Sequence, residues 1–253
     1  MSLPLSGRKI LVTREQTKAL SFAEKIKALG GKPVSAPLLR IACRDRENHF
    51  EFFQSISKFA WIFFTSSNGV DCFFKLVNRY QVDIHLQQVK IAVVGRKTEE
   101  KLKQFGYAAQ FIPSAYNADT MATEFLEKYS DPDPILLIQG NRSRDILPKR
   151  LEAENLLFTP FVVYETYSNE VMKDKLSSIL EEHSFDYLTF TSPSTIEAFV
   201  EMTSHIPHIP CVCIGTTTEL RAKQVGFQSI LVPNEFTIDG MITCMINDIQ
   251  KRG

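Results

Sequence analysis

Neither sign of charge is in surplus: 29 Lys and Arg residues meet 29 Asp and Glu, and the formal net charge is zero. A broad basic face for nucleic acid is therefore not expected, and any anionic ligand would have to be held by local groups. No apolar run reaches the roughly 20 residues of a membrane helix, and the opening MSLPLSGRKI lacks the apolar stretch of a signal peptide. Cysteine is scarce. The five (Cys43, Cys72, Cys211, Cys213 and Cys244) are odd in number and scattered, which argues against a disulfide framework. Cys211 and Cys213 alternate in CVCIG as residues on one face of a buried strand do, with no CxxC spacing or His partner to suggest a metal or redox pair. His205 and His208, in HIPHIP, read as a surface loop and supply no metal set. These absences together predict a cytoplasmic protein without a metal.

The common catalytic signatures are also missing. No GxGxxG follows a strand, no GxxxxGK[ST] occurs, and no GxSxG is present. This excludes the dinucleotide fingerprint, the P-loop and the hydrolase nucleophile elbow.

What remains is a chain of 253 residues, 44% hydrophobic, long enough for two domains of ordinary size. Short β-branched runs alternate with helix-length amphipathic segments. KILVTR reads as a strand, followed by a helix in which Ala19, Phe22, Ala23, Ile26 and Leu29 recur at helical spacing until Gly30 and Gly31 stop it. PVSAPLLRIA is extended, with prolines that disfavour a central strand position. WIFFT, KIAVVG, PILLIQG, FVVYETY, YLTFT and CVCIG are further strands. Most are continuously apolar, as parallel strands covered on both faces are, so the expected fold is α/β with doubly wound parallel sheets.

The chain also repeats itself. Residues 91–121 align without gaps on 211–241, matching Gly95 with Gly215, Thr98 with Thr218, Gly106 with Gly226 and Asp119 with Asp239. FTSSNGV echoes FTSPSTI, and ILVTREQ corresponds more weakly to ILLIQGN. Duplication of a whole unit follows, giving two similar α/β domains with a ligand between them at the strand ends.

Those ends are rich in small hydroxyl residues: Thr65, Ser66 and Ser67; Thr191, Ser192, Ser194 and Thr195; and Thr216, Thr217 and Thr218 after Gly215. GNRSRD adds Arg142 and Arg144. Helix N-termini carry unpaired N–H groups and partial positive charge, and they bind carboxylate or phosphate without a cationic side chain. Capping alone also accounts for such residues: Ser194 with Glu197, Thr216 with Glu219 and, more loosely, Asn68 with Asp71 have capping-box spacing. A row of such ends suits a ligand with many anionic groups. Tyr164 is the attractive polar aromatic. In a regular strand it shares a face with Val162 and Thr166, and its phenol could protonate a departing oxygen; a packed structural tyrosine is the other reading.

The ordered set ILVTR, FTSSNGV, VVGRKTEEKLKQFG, YNADTMA, GNRSRDILPKRLE, VVYETY, FTSPSTIEAF, IGTTTELRAKQVGF and FTIDGM resembles uroporphyrinogen-III synthase over nearly the whole chain. The resemblance implies two flavodoxin-like domains, one of residues 1–36 with 167–253 and the other of 42–160, joined by extended linkers at 37–41 and 161–166. It implies conversion of hydroxymethylbilane, a linear tetrapyrrole with eight carboxylates, into uroporphyrinogen III. The reaction loses water, inverts ring D through a spiro intermediate and closes the macrocycle, with no metal or organic cofactor. It implies a monomer, no nucleic-acid or membrane partner, and transient contact with hydroxymethylbilane synthase. Tyr164 would assist loss of the hydroxyl. Substrate carboxylates would meet Thr65, Ser66, Ser67, Asn68 and Gly69, with Ser67 standing where relatives carry proline. They would also meet Ser114, Asn117, Ala118, Gly140, Asn141, Thr191, Ser192, Pro193, Ser194, Thr195, Gly215, Thr217 and Thr218, with Arg14 and Arg144 as charge partners. Two rival classes remain: a two-domain binding or sensor protein, which would show affinity without turnover, and a nucleotide-sugar transferase, for which no catalytic acid or base stands out.

Overall fold

The apolar runs become strands, and the amphipathic segments between them become helices. The computed structural model describes residues 3–46, 49–82, 86–130 and 134–252. The elements are β1 (Lys9–Val12), α1 (Gln16–Ala28), β2 (Lys32–Ser35), β3 (Leu39–Cys43), α2 (His49–Gln54), β4 (Trp61–Phe64) and α3 (Ser67–Tyr80). Next come β5 (Lys90–Val93), α4 (Arg96–Gln104), α5 (Ala118–Lys128), β6 (Ile135–Gly140), α6 (Ile146–Ala153) and β7 (Phe158–Ser168). The chain ends with α7 (Glu170–Glu182), β8 (Tyr187–Phe190), α8 (Pro193–Met202), β9 (Cys211–Cys213), α9 (Thr216–Val225), β10 (Ile230–Leu231) and α10 (Ile238–Arg252).

The chain divides into two units, Met1–Arg40 with Tyr167–Gly253, and Ile41–Thr166. The stretches expected as linkers, 37–41 and 161–166, overlap β3 and β7, and both strands belong to the second sheet.

In the first unit the strand order is β10-β9-β8-β1-β2, with parallel pairing throughout. Renumbered within the unit, this is the 2-1-3-4-5 order of a flavodoxin-like sheet. In the second unit the order is β3-β7-β6-β4-β5. Register shows how the two correspond. Ile10 pairs with Pro33 and Tyr187 in the first sheet, and Ile135 pairs with Phe158 and Trp61 in the second. Leu188 pairs with Cys211 as Ile62 pairs with Ile91. An isolated parallel bridge from Ala92 to Phe111 repeats the pairing of Val212 with Leu231. Strands β7-β6-β4-β5 thus match β2-β1-β8-β9, and the weak likeness of ILVTREQ to ILLIQGN is a match of β1 to β6. The second unit is a permuted copy of the first with β3 added at one edge.

Each sheet is buried on both faces by alternation along its strands. Leu11 packs into one apolar cluster, and Ile10 and Val12 into another. In the second unit Ile62 and Phe64 belong to one cluster, and Trp61 and Phe63 to the other. Helix α3 shows why such segments are helical. It buries Val70, Phe73, Phe74 and Val77, spaced three and four apart, and pairs Lys75 with Asp71 one turn away. Each such phenylalanine contributes roughly 1.5–3 kcal/mol by leaving water.

The cysteines correct one expectation. Cys43 on β3 is bonded to Cys72 on α3, with their Cα atoms 5.0 Å apart. Strand and helix pack on the same cluster, so residues 29 apart in sequence reach bonding distance. Cys211 and Cys213 are buried on one face of β9. The Cys213 thiol is pushed well up by its hydrogen bond with Cys211 and by burial, so it is not a ready thiolate.

Candidate active site

Parallel strands end at one edge of each sheet, and most of them lead there into the start of a helix. In the second unit that edge surrounds a hollow of about 410 Å³ bordered by Thr65, Ser66, Tyr116, Arg144 and Tyr164, among others.

Ser66 is the N-cap of α3, with extended backbone, and its Oγ accepts a 3.0 Å hydrogen bond from the Gly69 N–H. The same Ser66 hydroxyl donates to the Tyr164 hydroxyl oxygen at 3.1 Å. The Tyr164 oxygen therefore receives a donor that is itself polarised by a helix start, and its own proton is left to point elsewhere. Thr65 faces inward and donates to the Ile138 carbonyl at 3.1 Å.

Two features place the tyrosine. Pairing of β6 with β7 shifts register between Gln139 and Gly140, so that Gln139 faces Val162 while Gly140 faces Tyr164. The irregularity breaks the simple alternation expected of Val162 and Tyr164: Val162 borders a different hollow, beside Arg44 and His49. The Tyr164 ring then lies directly on Gly140, where an added Cβ would come within 2.4 Å of two ring atoms. Only glycine leaves room for the ring. Asn141 fastens the neighbouring strand. Its N–H donates to the Tyr164 carbonyl at 3.1 Å, and its side chain accepts from the Thr166 N–H at 2.8 Å and donates to the Thr166 carbonyl at 3.3 Å. Ser143 Oγ accepts from the Gly140 N–H at 2.9 Å and closes the turn. Asn117 caps α5 by accepting from the Thr120 N–H at 2.9 Å, with Ala118 as the first helical residue.

The first unit repeats the α3 arrangement at α8. Ser192 is the N-cap, its Oγ accepts from the Thr195 N–H at 3.3 Å, and Pro193 occupies the first turn. Ser194 Oγ lies 2.9 Å from Ser192 Oγ. Gly215 caps α9 through backbone alone, leaving Thr216 and Thr217 exposed beyond it. Arg14 follows β1 and is partly buried; burial draws its guanidinium below the usual arginine range, opposed by Glu15.

A family model described as uroporphyrinogen-III synthase HemD matches residues 21–243. The chain belongs to the uroporphyrinogen-III synthase family. A porphyrin biosynthesis protein HemD of Ruminiclostridium josui is 31% identical over 247 residues, covering 96% of this chain and 49% of that one. A putative uroporphyrinogen-III synthase of Methanocaldococcus jannaschii is 29% identical over 253 residues, 96% of this chain and 100% of that one. The chain thus spans about half of the first relative and all of the second. Among solved structures, a mutant uroporphyrinogen III synthase of Thermus thermophilus superposes with TM-score 0.68 at 13% identity, over 97% of this chain and 100% of that one. The Helicobacter pylori enzyme does so with TM-score 0.65 at 17% identity, over 95% and 99%. These likenesses carry the α/β fold.

Several residues expected from the family resemblance lie elsewhere in the local chemistry. Thr218 is 1% exposed, turned into the core like its counterpart Thr98, and Thr195 is buried with its hydroxyl bonded to the Ser192 carbonyl. Ser114 gives both its N–H and its hydroxyl to Glu124, whose carboxyl is held below its usual range chiefly by that hydroxyl. The caps differ by position too: they are Ser66, Ser192 and Gly215, not Asn68, Ser194 and Thr216. Each helix begins earlier than the polar spacing suggests: only one residue separates the end of β4, β8 or β9 from the cap that follows it. Ser143 and Glu124 were not singled out in the sequence. A serine three residues after a strand-end glycine was the only signal for the first.

Proposed function

We propose that the protein converts hydroxymethylbilane to uroporphyrinogen III. Family membership supports this reaction over a sensor without turnover. The observation that carries the mechanism is the Ser66 hydroxyl donating to Tyr164 at the start of α3. As the C–O bond of the hydroxymethyl group breaks, the phenol of Tyr164 gives its proton to the departing hydroxide, and water leaves. The charge left on the Tyr164 oxygen is stabilised by Ser66 and the α3 dipole. The proton that the pyrrole carbon releases at final closure restores the phenol, so one molecule of bilane yields one of macrocycle and one of water.

Substrate carboxylates are taken by the uncovered N–H groups at the helix starts after Thr65, Thr191 and Gly215, with Arg144 and Arg14 as cations. Gly140 and Asn141 serve by placing Tyr164. Ser114 takes part only if a substrate carboxylate displaces Glu124. The protein acts as a monomer, with hydroxymethylbilane synthase as a transient supplier. No described helix is long and apolar enough to cross a membrane. The compartment proposed is the cytoplasm; the Cys43–Cys72 bond bears against it, since reducing compartments keep such thiols apart.

The test supplies hydroxymethylbilane from its synthase to chelator-treated protein and separates the uroporphyrin isomers after oxidation. The type III isomer is expected. Only the uncatalysed type I isomer, with the ligand nevertheless bound, would leave the sensor reading in its place.

A further inference from the structure

Tyr116 and Phe236 occupy the same place in the two copies. Each precedes the residue whose side chain starts a helix: Asn117 accepts from Thr120 N–H, and Thr237 accepts from Gly240 N–H. Each ring rests on the glycine that begins another helix. An added Cβ at Gly95 would lie 3.0 Å from Tyr116, and one at Gly215 would lie 3.2 Å from Phe236. An aromatic in that position ordinarily staples inward onto the first turn of its own helix and is covered. Here Tyr116 is 63% exposed and Phe236 is 56% exposed. One exposed aromatic needs no explanation. The same exposure at both repeat positions, each packed on a glycine more tightly than a side chain there would ordinarily sit, calls for one.

The surroundings of Tyr116 indicate a ligand. It borders the hollow that contains Ser66, Arg144 and Tyr164, and it also borders a second hollow over the start of α4 with Arg96 and Lys97. Tyr116 and Val94 line both. The glycine caps of α4 and α9 have no side-chain hydrogen bond closing them. An aromatic face with cations and open N–H groups on either side fits a flat ring carrying an acidic arm in each direction. A tetrapyrrole with eight carboxylates on four rings has two such arms per ring.

We propose that Tyr116 and Phe236 are stacking platforms for pyrrole rings of the substrate, each within its own unit, and that they determine selectivity for a tetrapyrrole over other polycarboxylates. The proposal rests on the reaction proposed above. Helix starts bind carboxylates of any molecule; an aromatic face adds preference for a ring.

The test compares Tyr116→Ala and Phe236→Ala with Tyr116→Phe and Phe236→Tyr. Each alanine variant is expected to raise KM and the Kd for uroporphyrinogen III about three- to tenfold, the scale of one aromatic contact. kcat should change less than KM, thermal stability should stay at the wild-type value, and the aromatic exchanges should restore affinity. As a second reading, emission from a Tyr116→Trp variant, corrected for Trp61, should be quenched saturably by uroporphyrin III and not by citrate. Wild-type KM and Kd in both alanine variants, or quenching by citrate alone, overturns the platforms while leaving the reaction standing. A wild-type protein that forms no type III isomer overturns the reaction itself, and the platforms with it.

Discussion

Tyr164 has three holders: the glycine under its ring, the asparagine that clamps its strand and the serine that donates to its oxygen. These make separable predictions. Tyr164→Phe keeps the ring on Gly140 and removes the proton donor. It should lower kcat by roughly 10²-fold, the low end of positioned acid catalysis, because the bilane's hydroxyl leaves readily. Gly140→Ala should do at least as much without touching the phenol, since the new methyl occupies the ring's place. Ser66→Ala removes both a cap and a donor. It should cost about 1 kcal/mol of stability and reduce kcat less than Tyr164→Phe, because the Gly69 N–H remains at the helix start. Steady-state turnover beside thermal unfolding separates the three. Full activity in Tyr164→Phe, with collapse in Ser66→Ala at unchanged stability, would make the tyrosine structural. The sequence allowed Tyr164 and Ser66 to be named but not joined. Their contact depends on the shift between Gln139 and Gly140, and a register irregularity leaves no mark in a run such as FVVYETY.

Between elements, β3 and α3 are tied by Cys43–Cys72, and α2 is tied by aromatic packing. Closing a loop of 29 residues is worth up to about 3–4 kcal/mol in the chain-entropy account. Cys72→Ser should therefore lower the unfolding free energy by up to an amount of that order, read from denaturant unfolding. Thiol titration of the denatured, unreduced wild type should find the three thiols of Cys211, Cys213 and Cys244. Reaction of all five cysteines would show that the bond does not form. His49 opens α2 at 4% exposure, its ring against Phe161 at 4.8 Å, and its Nδ1 has no hydrogen-bond partner among the described residues. Burial, opposed by Asp45 and reinforced by Arg44, holds its pKa below the ordinary value. The unfolded chain therefore binds a proton first as pH falls below about 6.5, and stability declines from there down through the depressed folded pKa. His49→Phe should flatten that limb of a stability–pH curve; an unchanged slope would assign the acid sensitivity to other groups. Strands and helices were legible because their periods are local. The disulfide was not, since pairing depends on where β3 and α3 meet, and an odd, scattered set of cysteines looks the same whether or not two of them touch.

For the whole molecule, the gapless match of 91–121 to 211–241 marks a duplication, and the units are discontinuous, Met1–Arg40 with Tyr167–Gly253 against Ile41–Thr166. Sequence similarity marks which strands correspond but does not say where the copy was cut. The weak likeness of ILVTREQ to ILLIQGN pointed to β6 as the counterpart of β1, and the pairing of Ile135 with Trp61 and Phe158, set beside that of Ile10 with Tyr187 and Pro33, makes the match plain. The permutation gives each unit its own serine-capped helix, α3 after Thr65 and α8 after Thr191, at the same strand edge. Each start presents about half an elementary charge and unpaired N–H groups, so each should take a carboxylate. Amide hydrogen exchange at saturating uroporphyrinogen III should slow at residues 66–69 and at residues 192–195, because N–H groups bound to carboxylate are withdrawn from water. A segment whose exchange stays unchanged at saturation would lose its place among the carboxylate sites.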